Sequence, residues 1–446
     1  MRKAPALVML WLGVASLQTA AQEPPTTPVA NSTKQSSASP AKQVTITQAE
    51  AIALQNNPQI TVGKLIALQA HESVRETRSA YYPTVELNVT GVTSDPGSRI
   101  AAGALTNPTV YPRAAGGAQV SQLVTDFGRT PNLVSSAEYQ AKAQEQNAVA
   151  TKQQIILAVD QAFYNVLETK ALQHVAEETL KTRELFASQI QALTNSKIKS
   201  DLDLSFANVD ASQAKLLLLE AQNNYSASLS TLSAILGYRE LQDFELVEAP
   251  ASDAAPAPDV TPLIQEALQQ RPEVRALEEE VTAAAKFSRA EHDLWWPTVS
   301  ASGVVGQAPV RDDHIPSWYG AVGVNINIPL FNGFLFNARA KSADLQTQLR
   351  QKQLQDLQDN VARDVRNGWL GTQRAYERLS VTRQLREQAS LALSLAQSRY
   401  QLGLSSIVEF SQAELAKTDA ELQDTDAHYQ YALSQIALAY QIGTSR

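Results

Sequence analysis

Residues 354–379, LQDLQDNVARDVRNGWLGTQRAYERL, place Leu354, Leu357, Val361, Val365, Trp369, Thr372, Tyr376 and Leu379 at steps of three and four. That period belongs to a helix with one buried seam, and its persistence over many turns predicts coiled-coil packing. The surrounding stretch, Phe334 to Leu402, holds no proline and only two glycines, Gly368 and Gly371. Continuous helix over that span would reach roughly 100 Å at ~1.5 Å per residue. Few globular domains are that wide, so the chain is expected to build something long.

Working outward, Leu402-Gly403-Leu404-Ser405-Ser406 reads as a turn, and a returning helix runs from Ile407 to Ile442. Before the long helix, Val322, Val324, Ile326 and Ile328 alternate with Ala321, Gly323, Asn325 and Asn327. Val299, Ala301, Gly303 and Val305 do the same against Thr298, Ser300 and Ser302. Period two predicts two strands, each with an apolar and a small-polar face. The first half repeats the order. Val85, Leu87 and Val89 alternate with Glu86, Asn88 and Thr90, and a less regular strand ends at Thr125. A long helix then starts near Pro131, turns at 194–200, and returns with Ala207, Ala211, Ala214, Leu218 and Ala221 on its seam. Pro58 to Pro83 and Pro272 to Pro297 both span 25 residues, and Gly128 to Tyr164 and Gly333 to Trp369 both span 36. Two tandem copies explain these spacings.

The ends and joints read as follows. Arg2 and Lys3, an apolar run with Trp11, and Thr19-Ala20-Ala21 make residues 1–21 a secretory signal peptide. Residues 22–44, rich in Pro, Ser and Thr, are expected to be a disordered tether. Thr47 with Glu50 suggests a capping box opening the first helix. The first repeat is expected over 45–248, with strands about 84–92 and 117–125 and a helical hairpin about 130–237. A linker, 249–260, precedes a second repeat over 261–443, with strands about 298–306 and 319–329 and a hairpin about 334–442. The signal and the want of a later apolar span point to export past an inner membrane. With no cysteine there is neither a disulfide framework nor a lipid-bearing Cys. Removing Arg2 and Lys3 leaves 35 basic against 45 acidic residues, a net charge of −10 that argues against nucleic acid as a partner.

Tyr81-Tyr82, Phe127, Trp295-Trp296 and Trp318-Tyr319 sit at the strand ends, as aromatic girdles do on outer-membrane barrels. Four strands cannot close a barrel, and lipid tolerates no open edge. Several chains must therefore contribute, and three would give twelve strands. The helices would continue the wall as a tube. The fold class is thus mainly α with membrane β: helical hairpins forming an α-barrel tunnel, and four strands per chain in a shared twelve-stranded β-barrel.

The chain resembles the TolC-like outer-membrane efflux proteins over about residues 45–443. The resemblance is carried by Ile46-Thr47-Gln48-Ala49-Glu50-Ala51 with Asn56-Asn57-Pro58, by Tyr82-Pro83 and Trp296-Pro297, by Arg399-Tyr400-Gln401-Leu402-Gly403-Leu404, and by Leu438-Ala439-Tyr440-Gln441-Ile442-Gly443. It implies a homotrimer in the bacterial outer membrane, contacting lipid, with a periplasmic tunnel that docks to an adaptor (membrane fusion) protein and an inner-membrane transporter of RND, ABC or MFS type. It also implies that Tyr400 is a gate tyrosine, Glu409 an acidic constriction residue and Asp203 an acidic partner in the gate. Ser405 stands where the best-known member has a gate arginine, and Gln412 where it has a second aspartate. Leu402-Gly403-Leu404 and Lys197-Ile198-Lys199 are the implied adaptor-binding tips. Tyr81, Tyr82, Trp295, Trp296, Trp318 and Tyr319 are the expected membrane-interface aromatics. A plainer reading of Glu409 and Asp203 has them capping the returning helices.

No catalytic constellation is visible. The five histidines are dispersed, no His-Glu-x-x-His, Gly-x-Ser-x-Gly or P-loop occurs, and neither cofactor nor metal is expected. Asp312-Asp313-His314 offers at most a weak surface metal site. The leading reading is a passive, gated exit duct for efflux or type I secretion. The alternative is a secreted or periplasmic coiled-coil scaffold without a pore.

Overall fold

In a computed structural model, residues 42–93, 95, 113–242, 244–248, 254–308 and 316–444 are described. The signal peptide, most of the tether, part of the 249–260 linker and the 312–314 trio lie outside these residues. The chain begins with strand β1 (Lys42–Val44), inside the stretch expected to be tether, followed by helices α1 (Ile46–Asn56) and α2 (Pro58–Arg78) and a 3-10 turn at Ser79–Tyr81. Strands β2 (Thr84–Val92) and β3 (Arg113–Thr125) lead into helices α3 (Arg129–Asn195) and α4 (Asp201–Ile235). After β4 (Phe244–Leu246) the order recurs. Helices α5 (Thr261–Gln270) and α6 (Pro272–His292) and a 3-10 turn at Asp293–Trp295 precede β5 (Thr298–Gln307), β6 (Trp318–Asn327), α7 (Leu335–Gln401) and α8 (Ile407–Ile442). Helices α3 and α7 have 67 residues each, ~100 Å of continuous helix.

Local chemistry sets the boundaries. The cap of α1 is Thr45, not Thr47: its hydroxyl accepts from Gln48 N–H while the Gln48 side chain accepts from Thr45 N–H at 3.1 Å. Two overlapping Thr-x-x-Glu/Gln patterns compete there, and the earlier one supplies both reciprocal bonds. Pro58 and Pro272 open α2 and α6, where a missing N–H costs nothing. Strand β3 starts at Arg113, four residues before the expected 117, because its glycine- and alanine-rich start pairs with β2 although it lacks alternation.

Strands β2-β3-β5-β6 form one antiparallel sheet in that order. Their register gathers Val85, Leu87 and Val89 with Ala118 and Val120, then with Val305, Val322, Val324 and Ile326, on a single face. Val85, Leu87, Val89, Val120, Val305, Val322, Val324 and Ile326 are all exposed, Val322 at 90%. The other face carries Thr84, Glu86, Asn88, Gln119, Ser121, Ser300, Ser302 and Asn325. Among the described residues, edges β2 and β6 have no partner within the chain.

Away from the hairpin tips, packing of the helices rests on alanine seams and two apolar knots. One gathers Val159, Phe163 and Val166 of α3 with Leu232 and Leu236, Val44 and Phe244, all 5% exposed or less. The other joins Val361 and Val365 of α7 to Ala267, Val274 and Leu438. Burying each large side chain contributes about 1.5–3 kcal/mol. The parallel β1–β4 pair closes against the first knot. Residues 254–257 are strapped to the second hairpin: Trp369 Nε1 donates to Ala257 O at 2.8 Å, and the Tyr431 hydroxyl donates to Ala254 O.

Candidate functional site

The far ends of the two hairpins are built alike. Residues 196–200 and 402–406 link helices whose ends are displaced by 206 residues. In the first turn Lys197 adopts φ +59, and Ile198 N–H bonds to Leu193 O. In the second Gly403 adopts φ +71, and Leu404 N–H bonds to Arg399 O. A left-handed residue is what such a helix stop requires. Glycine takes it without cost, whereas Lys197 carries a side chain there. Ile198, Leu402 and Leu404 are exposed at 67%, 74% and 66%, so each tip presents an apolar side chain to its surroundings.

Asp203 and Glu409 occupy the same place in their helices, the third residue after the cap. Asp203 completes a capping box: its carboxylate accepts from Ser200 N–H at 3.1 Å and from the Ser200 hydroxyl at 2.8 Å. Glu409 N–H donates to the Ser406 hydroxyl, and its carboxylate pairs with Arg399 at 3.2 Å. Asp203 therefore caps, as the plainer reading has it, whereas the Glu409 N–H is capped by Ser406 and its carboxylate instead ties α7 to α8.

Tyr400 is 4% exposed in a knot with Ile190, Ala207, Ile407 and Phe410, drawn from α3, α4 and α8. Its ring lies 5.7 Å from Phe410 and 6.0 Å from Phe186, with the Lys199 ammonium 3.7 Å above its centre. Burial, then the Asp203 carboxylate, push its phenol up to about 12. The hydroxyl is buried without a hydrogen-bond partner, as is the Ser405 hydroxyl. Gln412, one turn beyond Glu409, is exposed.

Above this knot lies a site that sequence reasoning missed. Arg183 of α3 meets Glu414 of α8 at 2.8 Å and Asp210 of α4 at 3.4 Å, with all three side chains at most 10% exposed. Burial pushes the Glu414 carboxyl up to about 7, the Arg183 charge opposing this and Asp210 adding to it. A signal was present: Arg183 follows Ala176 by seven and precedes Ala187 by four, and Asp210 lies between Ala207 and Ala214. Each charge occupies a seam position where an apolar residue is the norm. Farther up, burial and the neighbouring Asp426 push Glu168 to about 7.

At the sheet, Tyr81, Tyr82, Trp295, Trp296 and Phe127 gather where strands meet helices, and all are exposed. The Phe127 and Trp296 rings lie 6.2 Å apart, tilted by 34°. Trp318 lies at the opposite end with the apolar face. Tyr319 differs from the expectation. By period two it points to the polar face, where its hydroxyl stands over Gly117 and Gly306 and leaves no room for a side chain at either. Among the described residues no group of three or more His, Asp or Glu could hold a metal ion, and no helix is long and apolar enough to cross a membrane.

The family model described as "Outer membrane efflux protein" matches residues 51–238 and 263–444. The toluene efflux pump outer membrane protein TtgC of Pseudomonas putida is 24% identical over 294 residues, 65% of this chain. The chain spans only 60% of that relative's length. The outer membrane protein TolC of Vibrio cholerae is 24% identical over 408 residues, covering 88% of this chain and 89% of that one. Among solved structures, the outer-membrane channel OprN superposes with a TM-score of 0.79 at 18% identity, over 90% of each chain. CusC gives 0.78 at 20%, over 89% of this chain and 92% of the other.

Proposed function

We propose that this chain, which belongs to the outer membrane efflux protein family, is one third of a passive exit duct that spans the outer membrane and reaches into the periplasm. The observation that carries this is the four-stranded sheet with one predominantly apolar, uncovered face and, among the described residues, two unpaired edges. In water that face would cost about 25 cal/mol per Å² exposed, and in lipid the unpaired edges would be intolerable. Three copies joined edge to edge, each built of two tandem repeats, meet both demands with twelve strands. Strands β5 and β6 have ten residues each, about 30 Å, which fits the hydrocarbon thickness. Tyr81, Tyr82, Trp295 and Trp296 would ring the periplasmic interface and Trp318 the outer one, while Tyr319 would line the pore.

The hairpins would continue the wall as a tunnel. Its tips, Lys197-Ile198-Lys199 and Leu402-Gly403-Leu404, would receive an adaptor protein. An inner-membrane transporter of RND, ABC or MFS type would supply the energy, and the duct itself would carry out no catalysis. Tyr400, with Glu409, Asp203, Ser405 and Gln412 around it, would form the gate.

The test is the native mass of the mature protein extracted by detergent from outer-membrane fractions. A trimer of the 48.4 kDa chain, slightly lighter after signal removal, is expected. A soluble monomer would remove the shared barrel and favour a coiled-coil scaffold.

A further inference from the structure

We propose that Tyr319, one from each of three copies, makes a ring of aromatic platforms on the inner wall of the barrel near its outer mouth, where planar aromatic solutes stack as they leave. This rests on the duct reading above. Strands β5 and β6 pair from Thr298 with Asn327, beside the helices, to Gln307 with Trp318 at the opposite end. Tyr319 is one residue in from that end. Of the two aromatic side chains in the four strands, it is the one on the polar face.

Its cross-strand row runs Asn88, Gly117, Gly306, Tyr319, one residue from each strand. Two glycines in succession leave a trough of bare backbone beside the ring, and the ring lies down in it. A Cβ at Gly306 would stand 2.6 Å from the Tyr319 hydroxyl and 2.8 Å from its Cζ, and one at Gly117 would stand 2.9 Å from the hydroxyl. Glycine in both places lets the phenol cross the wall instead of projecting into the pore. Glycine otherwise weakens a strand, and an aromatic ring laid over it restores cover to the backbone. Cover alone would be a structural role.

The ring has a second face, and that face is bare. Tyr319 remains 46% exposed. Ala321, the next residue of β6 on the same side of the sheet, is too small to cover it. A platform already held flat loses no rotamer freedom when a solute lies on it, so the stacking energy is not spent on ordering the side chain. The row holds no charge, and its single amide, Asn88, offers little to a sugar or a phosphate. Its chemistry favours flat unsaturated rings. Rotation about the threefold axis of a trimer sets three such platforms at one level.

The experiment records single wild-type, Tyr319→Phe and Tyr319→Leu pores in planar lipid bilayers and measures how long ethidium, added on the barrel side, interrupts the current. Tetrabutylammonium, a cation of the same charge without a planar ring, is the control. Glu86 lies in the adjoining row of the same face and attracts both cations alike. Tyr319→Leu keeps apolar bulk over the glycines but removes the ring. Its ethidium interruptions should shorten about three- to tenfold, the worth of one aromatic stack. Tyr319→Phe should keep them at wild-type length, and tetrabutylammonium should not distinguish the three proteins. Ethidium that leaves the wild-type current uninterrupted, or interruptions of wild-type length in Tyr319→Leu, overturn the proposal. So does an equal shortening for tetrabutylammonium, which would reflect pore width. So does a Tyr319→Phe pore with interruptions as brief as those of Tyr319→Leu, which would place the contact at the hydroxyl. Should Tyr319→Leu not assemble, Tyr319→Met fills the trough in its place and is read in the same way. A wild type that forms no pore overturns the duct reading and this proposal with it, and the detergent mass identifies that case separately.

Discussion

Replacing Tyr400 by Phe and by Ala separates what its ring does from what its hydroxyl does. The ring is 4% exposed and nearly parallel to Phe410, at an interplanar angle of 20°, with Phe186 and Lys199 closing the other sides. Truncation to Ala removes the packing that joins α7 to α3 and α8, a loss of about 3 kcal/mol for a large aromatic side chain. The hydroxyl makes no hydrogen bond in its buried position. Removing an unpaired buried polar group relieves about 1 kcal/mol. If the knot is intact only while the tips are drawn together, Tyr400→Ala should raise the basal open fraction about 100-fold, at 1.4 kcal/mol per decade. Tyr400→Phe should leave it at or below wild type. Single-pore recordings in planar bilayers read both, with native mass confirming assembly. A Tyr400→Phe pore as leaky as Tyr400→Ala would refute the reasoning, since the hydroxyl would then carry a bond to another copy.

Three further outcomes are expected. Glu409→Gln removes the carboxylate facing Arg399, and the cation-to-anion permeability ratio should fall; an unchanged ratio rules out an acidic ring at this level. Gly237→Ala forces a side chain into φ +86 with its Cβ 2.9 Å from Asn56 Cβ and O, and should lower thermal stability by about 1–3 kcal/mol; calorimetry showing no change would contradict the close approach. Glu414 faces His174, Glu178 and Arg183 of α3, Asp210 of α4 and Arg386 of α7, with Lys417 and Glu421 on its own helix. Because its carboxyl is raised from 4.5 to about 7, the folded chain keeps a proton that the unfolded chain loses. Its contribution is therefore most favourable below pH 4.5 and is lost as pH rises through 7. Thermal stability of the protein should fall over that window and fall less in Glu414→Gln; equal slopes would contradict the assignment.

The long elements were legible because they repeat a period many times. Eight seam residues between Leu354 and Leu379 are enough to predict helix α7, and the alternation in 299–305 and 321–328 anticipates both faces of β5 and β6. Short elements carry no such redundancy. Strands β1 and β4 are three residues each and find one another across some 200 positions, which no local pattern announces. Thr45 and Thr47 both satisfy a capping pattern, and only the reciprocal bonds decide between them. Tyr319 looked like half of an aromatic pair, but in a strand neighbours point to opposite faces. Arg183, Asp210 and Glu414 were hidden for another reason. A charge in a helix reads as solvated until the seams of three helices are superimposed, and these residues come from three different helices.

That hiding place bears on why a charge would stand there at all. The seams of α3, α4, α7 and α8 are largely alanine: Ala176, Ala187, Ala207, Ala214, Ala389, Ala396 and Ala420 are all buried. Alanine lets helices approach closely but distinguishes poorly between one register and the next, since a slip of seven residues sets alanine on alanine again. A buried ion pair ends that degeneracy at a cost in stability, because a slipped α8 would leave Arg183 facing an uncharged seam. The cost falls on one seam of each chain, between α3 and α8, while the faces of α7 and α4 remain uncharged at the corresponding level. A duct assembled from three such chains would then hold its register within each chain by charge and join chain to chain by packing alone. Any movement that widens the tips must either break Arg183 from Glu414 or leave that pair whole and part the copies.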